Sequence, residues 1–555
     1  MTSTLQKLKL DPAAFIRHAR TRTRAVSPLW DHSATAAVLI LASAVASLVY
    51  VCCLSPLTLS PDEAHYWDWS RNLDWSYYSK GPLVAWLIRA SCEVFAPLSL
   101  SLTGDLTAAI RFPAVVCHLA ILTGWYILAA GIFRSSALAV AMTCCAITLP
   151  LVRAGAVLMT IDPPFMACWS WSLIAVWRAL ETGRTRWWIG AGILTATGIL
   201  AKYTMVLFPA AVVGFLLFHR RSEFRKPGVW LLVAGAVIGW LPVVVWNAQH
   251  DWVSFRHVFG QVSEGGHKPA SLLRFLGGQF GMLFGFWLPA FLLAGWKFRP
   301  NRQSEPGIQL LWWVSVPVWL VFVAASLVKS GQPNWPAPAY VGGLLLAVVW
   351  TREQLTGHRS RIMLACLALS TMLGLVAIIA IHTPDTFRPL VARLGSQPTA
   401  TDPYPIRRLD LTARIAGWKH LATEVDAVRD RVRVETGREP ILAGTHWTVP
   451  GEMGFYCAGH PTVYAIGIAN RSDRHSQYDV WRPNPIADAQ EFHGQTFVII
   501  GDIGVELVEA FERIEPPTRT VFTSNGVPIA GWAIWVCHGF RGFGRVLPPQ
   551  AGSHY

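Results

Sequence analysis

Apolar stretches long enough to cross a bilayer recur along most of this chain, separated by short loops that gather arginine and lysine. Roughly 30 Å of hydrocarbon, crossed at about 1.5 Å per residue, needs about 20 apolar residues, and they must be helical because lipid offers the backbone no hydrogen-bonding partner. Stretches that approach this length lie near 35–54, 108–133, 136–151, 163–180, 187–201, 203–218, 228–247, 273–296, 308–328, 336–351 and 362–382. The expectation is a polytopic α-helical membrane protein of about 11 spans. Segments 187–201 and 203–218 are short and parted only by Lys202, so a tight hairpin, one bent helix and two spans in a thinned bilayer all stay open. Composition agrees: only 14% of residues are charged, against about 25% in soluble chains. That excludes a wholly soluble enzyme, a disordered chain and a small disulfide-stapled domain.

The formal charge of +14 is explained by its distribution. Residues 1–34 are polar and basic, with Lys7, Lys9, Arg17, Arg20, Arg22 and Arg24 and no apolar signal-peptide core, and read as a cytoplasmic N-terminus. Alternation from there makes cytoplasmic the loops holding Arg134; Arg184 and Arg186; Arg220, Arg221, Arg225 and Lys226; Lys297, Arg299 and Arg302; and Arg352, Arg359 and Arg361. The opposite loops hold Asp62, Glu63, Asp68, Asp74, Glu93, Asp105 and Asp162. The excess of cations is thus a positive-inside pattern, and no nucleic-acid partner is implied.

An odd span count puts residues 383–555 on the outer side. There, short apolar runs (440–443, 462–466, 496–501, 519–523, 530–536) alternate with helical patterns at 411–431 and 503–514, which predicts an outer-face α/β domain. Of ten cysteines only Cys92, Cys457 and Cys537 face outward; a bond between the last two is permitted, but their spacing does not call for it.

The first outer loop, 55–107, carries the chemistry. Trp67, Trp69, Trp75, Trp86, Tyr66, Tyr77 and Tyr78 suit the headgroup layer, so the loop reads as amphipathic helices lying along the membrane. Ser60 or Asp62 can cap a helix beginning after Pro61. Asp62 and Glu63 at that start, Asp162 before Pro163-Pro164, Lys80 before Gly81-Pro82, and Lys202 between two apolar runs gather two acidic segments and two cations in one layer. An intramembrane charge is costly unless it is partnered or hydrated.

The opening Asp62-Glu63-Ala64-x-Tyr66-Trp67, the aromatic run to Lys80-x-Pro82-Leu83, Asp162-Pro163-Pro164, Ala201-Lys202-Tyr203 and Asn334-Trp335-Pro336-Ala337-Pro338-Ala339-Tyr340 together resemble bacterial lipid-sugar-dependent glycosyltransferases of the GT-C fold. The nearer relatives are the aminoarabinose-to-lipid-A transferases and the protein O-mannosyltransferases. Gly417-Trp418-Lys419-His420-Leu421 and the run Arg471 to Trp481 in the tail resemble outer domains of that family, so the likeness runs from about residue 60 to about residue 481.

The resemblance implies a GT-C domain over 35–382 in a bacterial inner membrane, and a periplasmic active site. It also implies transfer of a sugar from a polyprenyl-phosphate carrier to a glycolipid, glycan or protein acceptor. It gives Asp62 the place of the catalytic carboxylate, Asp162 that of the second acid and Lys80 that of the phosphate-contacting lysine. The family usually has two prolines after that lysine, whereas this chain has Gly81 and then Pro82. Glu63 either orients Asp62 or is a first-turn helix acid. Lys202 either meets phosphate or snorkels. Tyr78, Arg153 and Asn334 complete the expected substrate-binding set, Arg153 pairing with Asp162 or with phosphate.

His65 stands where relatives have an aromatic ring. Trp246, Asn247, Gln249, His250, Asp251 and Trp252 form a polar-aromatic rim, and His267 and Lys268 lie in a glycine-rich loop. Gln477, Tyr478 and Trp481 are placed to cap the cavity with Arg471. Asp62, Glu63, His65 and Asp162 are donors a divalent ion accepts, yet the nearer relatives use no obligatory metal, and no cofactor is expected beyond the lipid-linked co-substrate. The rival class is a transporter or lipid-carrier flippase, which also gathers intramembrane charge. It is opposed by the absence of repeated halves and by acids sited in outer loops.

Overall fold

The computed structural model describes residues 32–263, 269–301, 303–328, 331–358, 360–470 and 473–544. The basic residues before 32, together with His267, Lys268, Arg302, Arg359 and Arg471, lie outside them.

The membrane part is a helical bundle: α1 Ser33–Val49, α2 Pro61–Arg71, α3 Leu83–Thr103, α4 Thr107–Phe133, α5 Ser136–Thr148, α6 Asp162–Thr182, α7 Thr185–Ala201, α8 Leu207–His219 and α9 Pro227–Gln249. It continues through α10 Val253–Ser263, α11 Pro269–Met282, α12 Trp287–Lys297, α13 Pro306–Trp313, α14 Val316–Ser326, α15 Ala337–Leu355 and α16 Ser360–His382. Among the described residues six helices are long and apolar enough to cross a membrane: Ser33–Leu54, Leu83–Thr103, Thr107–Phe133, Pro227–Gln249, Pro306–Ser326 and Ser360–His382. The pair Ser271–Met282 and Trp287–Lys297, bent by 103°, makes up to a seventh.

Eleven spans are therefore not established. The expected spans at 136–151, 163–180, 187–201, 203–218 and 336–351 are not among the six, and two further departures concern α3 and the stretch near 273–296. The expected first outer loop contains α3, which passes the length and apolarity test, while its two flanks both meet the tail, Tyr78 at Gln477 and Asp105 at Lys419, as expected of a helix lying along the surface. The stretch near 273–296 is broken at Phe284, with φ 48°, and Gly285, with φ 69°, a left-handed pair that no continuous helix accommodates. Lys202 resolves the ambiguity at its own position. It is extended, with φ −151° and ψ 126°, and parts α7 from a short 3-10 turn leading into α8.

After α17 Pro384–Leu394 the tail folds around a six-stranded sheet built from β1 Ile441–Gly444, β2 Val463–Ala465, β3 Phe497–Ile500, β4 Phe511–Ile514, β5 Thr518–Ser524 and β6 Val527–Phe540. The strand order is β2-β1-β3-β6-β4, with β5 also on β6. The first three strands are parallel and β6 is antiparallel to each neighbour. Helices α18 Trp418–Thr436 and α19 Thr448–Tyr456 pack on one face, closing a core of Leu421, Val425, Met453, Val498 and Val536.

The helix expected over 503–514 is only one turn, Val505–Glu509. Phe511–Ile514 instead pairs with β6, whose hydrogen bonds outweigh the local helical pattern. All ten cysteines are free thiols. Cys457 and Cys537 lie in separate apolar clusters.

The tail sits on the segment 55–107. A Cβ at Gly451 would lie 2.8 Å from the Ala64 carbonyl carbon and the His65 nitrogen, so α19 meets α2 backbone to backbone. Around that contact, Leu59 donates its N–H to the Tyr456 hydroxyl (2.7 Å), Thr58 donates to the Ile415 carbonyl (2.9 Å) and Lys419 pairs with Asp105 (2.7 Å).

Candidate active site

Helix α2 begins with a capping box. The Ser60 hydroxyl accepts from the Glu63 N–H (3.2 Å), and the Glu63 carboxylate accepts from the Ser60 N–H (2.9 Å). Pro61 presets the first turn. This cap sends the two acids of the turn in different directions.

Glu63 is fully buried against Arg111 of α4, which donates from Nε to Oε1 (3.0 Å) and from Nη2 to Oε2 (2.9 Å). The Met159 N–H also donates to Oε1 (2.9 Å), and Arg111 uses its remaining donors on the Thr58 and Leu57 carbonyls. Both carboxylate oxygens are committed. Glu63 thus leaves the expected catalytic set and becomes the peg that fixes α2 to α4.

Asp62 projects into a cleft. It is accessible to water, yet protein surrounds it closely enough that desolvation raises its pKa above the usual carboxylate value, opposed by the positive charges of Lys80 and Arg474. The Tyr66 hydroxyl, one turn on, hydrogen-bonds to it. Lys80 lies in the same cleft. Burial first, and then the neighbouring charge of Lys202, lower its pKa to about 8, against the pull of Asp62 and Asp162.

The opposite wall is a bonded trio. Lys202 Nζ donates to Asp162 Oδ1 (2.7 Å), and Asn334 Nδ2 donates to Asp162 Oδ2 (2.6 Å). Asp162 opens α6 after Ile161, Lys202 ends α7 and Asn334 precedes α15, so one carboxylate ties together three elements.

Gly81 accounts for the departure from the family pattern. A Cβ there would lie 2.2 Å from the Leu200 carbonyl oxygen. The missing side chain lets the Lys80 turn abut the end of α7 and sets Lys80 beside Lys202. Tyr78 is anchored by its N–H to Gln477 Oε1 (2.6 Å), with its ring 4.9 Å from that of His257.

Asp62, Lys80, Asp162, Lys202 and Asn334 therefore lie close enough for their charges and hydrogen bonds to act on one another. Arg153 does not join them. Its guanidinium donates to the Ser43 hydroxyl (2.9 Å) and carbonyl in α1, away from Asp162. His65 is buried among Tyr66, Trp69, Trp447 and Tyr478, and burial holds it neutral with a pKa of about 3. It takes the place of an aromatic ring. The 246–252 rim packs the loop: Trp246 donates to Asp74 (2.6 Å), and Asn247 accepts from the Ser254 N–H (3.0 Å), whose hydroxyl holds the Tyr77 carbonyl (2.9 Å).

Two residues escaped the sequence reading. Arg111 falls inside an apolar run, where a lone charge is a signal in itself. Arg474 belongs to the tail. It stacks 4.9 Å over Trp447, and its charge reaches Asp62, Lys80 and His257. Among the described residues no three His, Cys, Asp or Glu side chains gather around a common point.

In structure the chain superposes on ArnT from Cupriavidus metallidurans, in both the apo state and the form bound to undecaprenyl phosphate, with a TM-score of 0.58 in each case. Sequence identity is 16%, and the match covers 90% and 91% of this chain and 98% of each ArnT chain. The chain has the GT-C fold. In sequence, residues 79–246 match the family described as dolichyl-phosphate-mannose-protein mannosyltransferase. The lipid A galacturonosyltransferase RgtD of Rhizobium johnstonii is 29% identical over 290 residues, which are 52% of this chain and 59% of RgtD. The chain thus aligns with somewhat more than half the length of that relative. The family match takes in Lys80, Asp162 and Lys202, and Asp62 lies just before it.

Proposed function

We propose that this protein is an integral-membrane glycosyltransferase that moves a sugar from a polyprenyl-phosphate carrier to an acceptor at the outer face of a bacterial inner membrane. The observation that carries the reading is the convergence of one accessible acid, Asp62, with Lys80 and the Asp162–Lys202–Asn334 trio inside a GT-C fold.

Each group has a task in such a transfer. The acceptor hydroxyl must lose its proton as its oxygen attacks the anomeric carbon. A carboxylate whose pKa is raised towards the working pH is a better base, and such a group supplies roughly 10²–10⁴-fold. The bond from the anomeric carbon to the phosphate oxygen breaks, and the polyprenyl phosphate leaves with the electron pair. Lys80, fixed beside the cleft by Gly81, meets the charge developing on that oxygen, with Arg474 of the tail beside it. Lys202 is neutralised by Asp162, so the trio holds sugar hydroxyls more than phosphate.

The likeness to RgtD favours lipid A as acceptor and a uronate as sugar, for which the surplus of cations over acids in the cleft is suitable. No catalytic metal is proposed, because Glu63 is committed to Arg111 and His65 is enclosed by rings. Activity that persists in EDTA checks this. A transporter is not favoured, since the charges cluster in one cleft at the ends of helices. Mass spectrometry of the envelope glycolipids and glycans from a deletion strain tests the reading. A species lost on deletion, restored by the wild-type gene and not by Asp62→Asn, is the expected result, and restoration by Asp62→Asn refutes it.

A further inference from the structure

A second cavity lies towards the other end of α15. This helix starts beside Asn334 in the cleft, and Arg352 stands 15 residues after Ala337, or about 22 Å along the axis at about 1.5 Å per residue. There, α5, α12, α15 and α16 enclose a groove of about 380 Å³, walled by Leu138, Cys145, Trp287, Val348, Leu355 and Leu367. Its floor is a row of small side chains, Ala137, Ala141, Cys144 and Thr148, at helical spacing along α5, so the groove follows that helix for roughly 16 Å.

The two ends of the groove differ. At the Thr148 end α16 closes against α5, where a Cβ on Gly374 would lie 2.6 Å from the Thr148 carbonyl oxygen. At the other end stand two polar groups. The Thr351 side chain lines the groove, is 3% exposed, and its hydroxyl has no hydrogen-bond partner among the described residues. Arg352 is exposed and has no carboxylate partner among the described residues, whereas the adjacent Glu353 is held by Lys297.

A buried hydroxyl without a partner and an unpaired guanidinium, side by side at the mouth of an apolar slot between membrane helices, suit a single kind of occupant. It has one anionic, multiply accepting head and one apolar chain. The chain adds dispersion contacts along the apolar walls, and the head satisfies the hydroxyl and the guanidinium together. We propose that this groove binds an anionic phospholipid, with one acyl chain along α5 and the phosphate on Arg352 and Thr351. The bound lipid then braces α15 at the end remote from Asn334.

The test uses the full-length protein purified in detergent, titrated with phosphatidylglycerol or with phosphatidylcholine of the same acyl chains, and followed by thermal unfolding. Phosphatidylglycerol is expected to raise the midpoint by several degrees more than phosphatidylcholine. Arg352→Ala should cancel that difference while leaving the midpoint in detergent alone unchanged. Thr351→Val should reduce it, and Cys144→Phe, which fills the floor at an exposed position, should remove the response to both lipids. Equal shifts with the two lipids, a difference that survives Arg352→Ala, or displacement of the phospholipid by undecaprenyl phosphate would overturn the proposal.

Discussion

Glu63 and Asp62 are neighbours in one helical turn, but the charged clusters they enter are built differently. The Glu63–Arg111 cluster is sealed: both side chains are at most 1% exposed, and backbone N–H and carbonyl groups take up what the pair leaves over. The Asp62 cleft is open to water and holds a mixture of signs, with Lys80 and Arg474 facing an acid that burial has made a stronger base. A sealed, saturated pair has nothing left to offer a substrate, and removing one partner strands a buried charge. An open, mixed cluster can exchange its water for a sugar phosphate. On the proposed function, the difference separates scaffold from chemistry within a single capping box.

Substitutions at the two clusters should therefore break different properties. The largest effect is expected from Asp62→Asn, which keeps shape and removes the base. Turnover should fall roughly 10²–10⁴-fold with an unchanged unfolding midpoint. Arg111→Met should do the reverse. Leaving Glu63 buried and unpaired should cost about 3–5 kcal/mol, seen as a lowered midpoint and poor recovery from the membrane. Activity loss at Arg111 without loss of stability would erase the distinction.

The third effect is on pH dependence. On the proposed roles transfer needs Asp62 ionised, so the rate should rise with pH through a value above that of a free aspartate. It also needs Lys80 protonated, so the rate should fall as pH passes about 8. Lys80→Arg should keep a cation at every pH tested and move the alkaline limb upward, while the acid limb stays in place. The smallest effect belongs to the shared cap, where Ser60→Ala should cost about 1 kcal/mol in unfolding experiments.

Much of this was legible in the sequence for local reasons. The cap at Ser60, the acids following Pro61 and the break at Lys202 are short-range features, and the order of the short motifs pointed to the fold that the comparison with ArnT shows. Long-range features were not legible. Nothing within ten residues of Glu63 says that an arginine 48 positions on will claim it, and nothing near Arg153 says that it will turn to Ser43. Arg474 reaches the site from the tail, which at Gly451 lies against α2, more than 400 residues from Asp62 in sequence. The 511–514 strand was misread where pairing overrode local pattern.

The central claim is that Asp62 activates an acceptor against a polyprenyl-phosphate sugar held by Lys80. The most direct measurement is release of polyprenyl phosphate from a synthetic polyprenyl-phosphate uronate by purified protein in vesicles containing lipid A. Release in step with glycosylated lipid A, abolished by Asp62→Asn although donor binding persists, is the predicted result. Near-normal release by Asp62→Asn would contradict the account.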